Sequence, residues 1–182
     1  GYTYTADWQV QAKKHEIKDH SLTNLQKQWS ETRDTLGDHL NLYQIHSATL
    51  DTGVLANAEV HTELARIKGA GVRIGLSLSG PAQDETLRKA LEITIDGMRL
   101  FDAVQATYNL FEQRAGAALG EAHGAGMLVI IKEGLANGRL TDRNSLAQDA
   151  SRLALVRAAA QRLHTTPDAF ALAAIYSRSW VD

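Results

Sequence analysis

The chain has no cysteine among its 182 residues, which excludes disulfides, thiolate metal sites and a thiol nucleophile and fits a reducing compartment. It also lacks an excess of either charge. Its 19 basic residues nearly balance 21 acidic ones, for a formal charge of -2, so no global field draws in nucleic acid or an anionic membrane, and any partner must be selected locally. No apolar run approaches the roughly 18 residues of a membrane span, and no charged segment followed by an apolar one opens the chain. The expectation is a cytoplasmic protein whose partner is neither nucleic acid nor membrane.

Several motifs are missing as well. The seven histidines include His15 with His20 and His39 with His46, spacings that match neither a helical i, i+4 pair nor a known ligand series, so no metal site is expected. The stretch GLSLSG lacks the G-x-S-x-G spacing of a serine nucleophile elbow. Gly71, Gly75 and Gly80 do not make a G-x-G-x-x-G turn, which argues against a Rossmann dinucleotide site.

What is present is the composition of one ordinary globular domain over residues 1–182, 44% hydrophobic and 22% charged. Residues 1–20 show no sustained period and read as a long structured loop. Lys13, Lys14, His15 and Lys18 form a basic cluster there, either a solvated face or an anion site. From Ser21 to Gly37, apolar residues at Leu22, Leu25, Trp29 and Leu36 predict an amphipathic helix with a serine start and a glycine stop. Residues 40–49, LNLYQIHSAT, read as a short strand buried on both faces.

Val60, Leu64 and Ile67 then mark a second helix, and VRIGLS a second strand. A helix carrying Leu87, Leu91 and Thr94 leads to a third strand, FDAVQAT, and an alanine-rich helix over residues 114–123 to a fourth, MLVIIKE. Ser145 with Gln148 suggests a capping box for the longest helix, and Thr166-Pro167 the start of the last one. Strand and helix alternate with a period near that of a βαβ unit, so a (β/α) barrel, part of one, or a doubly wound sheet is the expected architecture.

Right-handed crossovers place all four strand ends on one side, where ligands of such folds bind. Those ends carry His46 and Ser47, Ser77 and Ser79, Gln105 and Thr107, and Lys132 and Glu133, an expected polar pocket. His46 is a candidate site residue, with a strand-capping hydrogen bond as the alternative. Lys132 is either a Schiff-base lysine of a lyase or one half of a structural ion pair.

Four stretches, NLYQIH, GVRIGLS, VQATYNL and VIIKEGLANGRL, resemble the aldo-keto reductases, in that family's order and at its spacing, and the wording HSATLDTGVL and KEGLANGRL is similar to a bacterial branch. The resemblance implies a (β/α)8 TIM barrel, of which this chain supplies the middle: about four parallel strands with their helices. It implies a fragment, without the first three strands, which carry the family's catalytic aspartate, tyrosine and lysine, and without the last strand. The implied activity is reduction of a small-molecule aldehyde or ketone with NADPH, or NADH. The chain alone is expected to be inactive, and a cofactor-holding regulatory barrel is the alternative.

Residue by residue, His46 matches the histidine that orients the substrate carbonyl, and Ser77 and Gln105 match residues that bind the nicotinamide carboxamide. Lys132 stands where many members have a tyrosine that stacks on the ring. Glu133, Leu135, Asn137 and Arg139 fall on the loop over the pyrophosphate, with Arg139 the implied phosphate partner. Leu78 replaces an asparagine of the pattern, and Gly134 a proline.

Overall fold

The computed structural model describes residues 2–4 and 16–182, so Lys13, Lys14 and His15 lie outside the described residues. The chain divides into two compact units, Gly1–Val104 and Gln105–Asp182.

In the first unit the expected loop begins and ends in strand. β1 (Tyr2–Tyr4) pairs antiparallel with β2 (Glu16–Lys18), sequences whose β-branched and aromatic residues suit a pleated ladder too short to show a period. α1 (Leu22–Leu36) starts and stops as its ends predict. Ser21 Oγ accepts the Asn24 amide at 3.2 Å, and Gly37 leaves the helix at φ +49°. Its buried face is built on Trp29, which meets Tyr43 edge-on at 5.3 Å; Leu36 is exposed.

β3 (Leu42–Ala48) runs parallel to β4 (Arg73–Leu78), Leu42 opposite Arg73. Between them α2 (Ala58–Gly69) buries Val60, Leu64 and Ile67, its first turn capped by Asn57 Oδ1 on the Val60 amide at 3.2 Å. α3 (Gln83–Leu91) follows β4 and buries Leu87 and Ala90. The strand buried throughout from Ile74 is β4, whereas Leu42, Tyr43 and Gln44 of β3 are half-buried. The sheet order is the reason: among the described residues β3 is its first strand, with a neighbour on one side only.

Thr94 does not extend α3. It opens a two-stranded ribbon of β5 (Thr94–Ile95) and β6 (Met98–Arg99), turned by Asp96 at φ +50° and Gly97 at φ +76°. Asp-Gly between apolar residues is a strong hairpin signal, and it outweighs the helical period that runs into it. Below the ribbon Lys68 Nζ donates to the carbonyls of Arg99 and Leu100 at 2.8 and 3.2 Å and to Asp102 Oδ1 at 2.7 Å. Asp102 Oδ2 in turn accepts the Ile74 amide at 3.0 Å, fixing where the next strand begins.

That strand, β7 (Ala103–Thr107), contains the point at which the units divide. With β8 (Leu128–Lys132) it completes one four-stranded parallel sheet in the order β3-β4-β7-β8. Alternating strands and helices with a parallel sheet are the α/β architecture that the sequence predicts.

The second unit adds α4 (Gly116–Gly124), α5 (Ala150–Arg162) and α6 (Pro167–Tyr176). Leu140, Leu153, Val156 and Ala171 form its core. Asp182 is tied to β8 by two hydrogen bonds: its carboxylate accepts the Val129 amide at 2.8 Å, and its own amide reaches the Val129 carbonyl at 3.2 Å. Thr166 and Pro167 start α6 as expected, with Thr166 Oγ1 accepting the Ala169 amide.

The capping box at Ser145 does not form. A 3-10 turn, Ala147–Asp149, precedes α5, because Asn144 Oδ1 takes the Leu146 amide and Asp149 is drawn into an ion pair. So shortened, α5 has 13 residues and is not the longest helix, α1 having 15. Among the described residues no helix is long and apolar enough to cross a membrane.

Candidate functional site

In the first unit His46 lies within β3, where the register with β4 shifts between Ile45 and Ala48. Ile45 pairs with Leu76 and Ala48 with Leu78, so two residues, His46 and Ser47, stand opposite one, Ser77. This is a bulge, the irregularity that re-aims side chains at strand ends. Ser47 absorbs it at φ +55° and is buried, while His46 is exposed.

The backbone of the bulge is held by His20, whose Nε2 lies 2.9 Å from the His46 carbonyl oxygen. A carbonyl only accepts, so His20 carries its proton on Nε2. Burial pushes the His20 imidazole below its ordinary pKa, against the smaller opposing pull of that hydrogen bond. Ser77 is buried on β4 and its hydroxyl forms no hydrogen bond among the described residues. Beyond it, Lys18 Nζ donates to Ser79 Oγ at 3.3 Å, joining a residue of the basic cluster to a strand end.

In the second unit Gln105 and Thr107 end β7, and Lys132 ends β8. The Gln105 amide is half-buried and forms no hydrogen bond among the described residues. Lys132 Nζ lies 4.0 Å from Glu133 Oε1, an ion pair being one of the two readings of this residue. Glu133 has a left-handed backbone at φ +57°. Thr107 Oγ1 donates to its Oε2 at 3.1 Å, and Asn109 Nδ2 to its carbonyl at 2.9 Å. The Asn109 Oδ1 accepts the amides of Phe111 and Glu112, so this support is itself anchored.

After Glu133 the chain coils through tight turns. Amides of Ala136, Gly138 and Arg139 bond to carbonyls three residues back at 2.8, 3.0 and 3.1 Å, and Ala136, Asn137 and Gly138 all have positive φ. Leu135 packs on the core of the unit. Asn137 and Arg139 instead line an open cavity of about 640 Å³ together with Arg143, Asn144 and Asp168.

Arg139 is already engaged. Its Nε donates to Asp149 Oδ2 at 2.7 Å and its Nη2 to Oδ1. Asp149 has no exposed surface and also accepts from Asn144 and Arg152, each at 3.0 Å. The Arg139 guanidinium and these donors hold the Asp149 carboxyl well below the usual carboxylate range. Both guanidinium groups lie over the Phe111 ring, at 5.5 and 4.5 Å from its centre.

Lys132 and Glu133 thus share a support with Thr107, and Asn137 and Arg139 share a cavity, while Leu135 turns to the core. Sequence reasoning missed Asp149, Arg152, Asn144 and Phe111. Only the spacing of Asp149 and Arg152 on one helical turn hinted at a pair; Arg139 is ten positions away, which no local pattern marks. Among the described residues no group of His, Asp and Glu is placed to hold a metal ion.

No family model and no curated protein matches the chain. Solved structures do. The aldo-keto reductase AKR11C1 of Bacillus halodurans in its holo form superposes with a TM-score of 0.59 at 20% identity, over 81% of this chain and 49% of that one. Its apo form gives 0.57 at 18% identity, over 76% and 48%. The protein PA4992 of Pseudomonas aeruginosa, placed by its description among the aldo-keto reductases, gives 0.54 at 22% identity, over 80% and 51%. The chain spans about half the length of these structures. At such identities the likeness shows the fold: the (β/α) architecture of the aldo-keto reductases, which are (β/α)8 barrels.

Proposed function

We propose that this chain carries part of the site of an oxidoreductase of the aldo-keto reductase type, reducing a small-molecule aldehyde or ketone to an alcohol with NADPH or NADH. The observation that carries the reading is the bulge that presents His46 opposite Ser77 at the end of two parallel strands. Fold alone does not imply function, and this feature is one of side chains. The His46 imidazole can donate to a carbonyl oxygen and stabilise the alkoxide that develops there.

Ser77 in the first unit carries a hydroxyl and Gln105, taken by itself in the second, an amide; each can both donate and accept, the chemistry that a nicotinamide carboxamide needs. The cofactor supplies the hydride when bound; the protein supplies alignment and charge. On the loop after β8, Asn137 and Arg139 are the polar groups for the pyrophosphate, beside Glu133 and Leu135. Two of the Arg139 donors are given to Asp149, so Arg143 of the same cavity offsets more of the pyrophosphate charge and Asn137 adds a neutral donor.

A second reading, a nicotinamide-binding barrel without turnover, is favoured by Lys132. Its side chain lies at the end of β8, where an alkyl stem stacks on a ring less well than an aromatic would.

Titration of the chain with NADPH, and separately with NADH, followed by nucleotide fluorescence, tests the reading. Saturable binding, weakened about tenfold in Gln105→Ala for one lost hydrogen bond, is expected. Absence of saturable binding for both nucleotides overturns it for this chain. In a chain restored to the full barrel, turnover of an aromatic aldehyde, lost in His46→Ala, decides for the reductase, and binding without turnover decides for the second reading.

A further inference from the structure

Lys132 stands apart from Lys27, Lys68 and Lys89 among the described residues. Its side chain is 24% exposed, against 71% for Lys27 and 54% for Lys89. Lys68 is similarly shielded, but its ammonium is spent on three acceptors. The Lys132 ammonium has a single partner among the described residues, Glu133 at 4.0 Å, beyond hydrogen-bond length. It is therefore a shielded amine with no hydrogen bond, at the carboxyl end of a parallel strand, the edge from which such sheets work on ligands.

The carboxylate beside it is placed by the fold. Thr107 Oγ1 on the neighbouring strand holds Glu133 Oε2, and the Asn109 amide holds its backbone. The left-handed conformation at Glu133 puts its side chain back beside that of Lys132. Oε1, the oxygen that faces the ammonium, is the one Thr107 leaves open.

We propose that Lys132 is a site of covalent aldehyde capture, forming an imine with small aldehydes, and that Glu133 carries the protons of the reaction. The ammonium gives a proton to Glu133. The neutral amine attacks the carbonyl carbon, the C–N bond forming as the C=O π pair moves to oxygen, and the oxygen takes a proton from the attacking nitrogen to give the carbinolamine. Glu133 returns its proton to the carbinolamine hydroxyl, which leaves as water as the C–O bond breaks and the C=N bond forms. The balance is one lysine ammonium and one aldehyde giving one protonated imine and one water, with Glu133 unchanged. No oxidant, metal or nicotinamide is needed, so this site stands or falls apart from the reductase reading.

The test incubates the intact chain with benzaldehyde and sodium cyanoborohydride, which reduces an imine to a stable secondary amine, and maps the product by peptide mass spectrometry. Lys132 is expected to be labelled several-fold faster than Lys27 and Lys89, although both are more exposed. Glu133→Gln should slow labelling at Lys132 by about a hundredfold, the lower end of the range of proton-transfer catalysis, and leave Lys27 unchanged. Labelling of Lys132 no faster than that of Lys27 and Lys89, in chain with the far-ultraviolet circular dichroism and cooperative melting of a folded protein, overturns the proposal. Equal labelling of Lys132 in the parent and in Glu133→Gln overturns the role of Glu133. Thr107→Val, which removes the support but keeps the carboxylate, should fall between the two.

Discussion

Arg139 and Asp149 form a two-pronged ion pair in which the carboxylate is entirely enclosed. The pair closes the loop that follows β8 onto the start of α5, and it takes two of the donors of the Arg139 guanidinium. Because Asn144 and Arg152 fill the remaining acceptor sites, the buried charge is satisfied on every side, the condition under which such a group stabilises.

Asp149→Asn is therefore expected to lower the urea midpoint of the chain more than Asp142→Asn does. Asp142 pairs with Arg157 on an exposed surface, where an ion pair contributes about 0–1 kcal/mol. The Asp149 carboxyl is more acidic when folded than its ordinary value of 3.8, so its contribution is complete above that pH and lost as pH falls through the lower folded value. Urea melts at pH 7 and at about pH 3.5 check this: the parent should lose stability on acidification, and Asp149→Asn should lose less. An equal loss in both would remove the pair from the account.

Gly75 marks the tightest approach in the first unit. A Cβ there would stand 3.0 Å from the Ala103 carbonyl oxygen, 3.1 Å from Gln44 Cγ and 3.2 Å from the Ala103 Cβ. Gly75→Ala should cost about 1–3 kcal/mol, as overpacking does. Gly69, at the end of α2, meets nothing within 4 Å, so Gly69→Ala should stabilise by about 0.4–1 kcal/mol through the unfolded chain. Thermal melts of the two variants should move in opposite directions; a neutral Gly75→Ala would mean that β4 and β7 can separate.

The same contrast shows what the sequence made legible. Elements whose signals are local were readable: Ser21 and Gly37 bound α1, Thr166 and Pro167 start α6, and the order of strands and helices followed from periodicity. The four-stranded parallel sheet followed in turn. What stayed hidden depends on partners far along the chain. Asp149 displaces the capping box at Ser145 because Arg139 reaches it from another turn, and β3 is half-exposed because of its place in the sheet order. The bulge at His46 and Ser47 is a mismatch between two strands, which neither strand encodes alone. The hairpin at Asp96-Gly97 was legible and was overrun by a helical period that ends sooner than it looks.

Two histidines predict that the first unit loses stability in acid. His61 is buried on α2 with Nε2 2.8 Å from the Val54 carbonyl, and His20 holds the His46 carbonyl in the same way. Burial lowers the pKa of both below the ordinary 6.5, the hydrogen bonds opposing it. The folded chain keeps them neutral while the unfolded chain takes up protons first, so their contribution is full above 6.5 and is lost as pH falls through the lower folded values. The urea midpoint should fall between about pH 7.5 and pH 5.5. A His20→Gln, His61→Gln double variant should start lower and vary less over that range. If the double variant kept the parent's slope, the acid sensitivity would belong to other groups. If the parent showed no slope, these imidazoles would be taking up their protons without loss of the contacts that hold the bulge at His46.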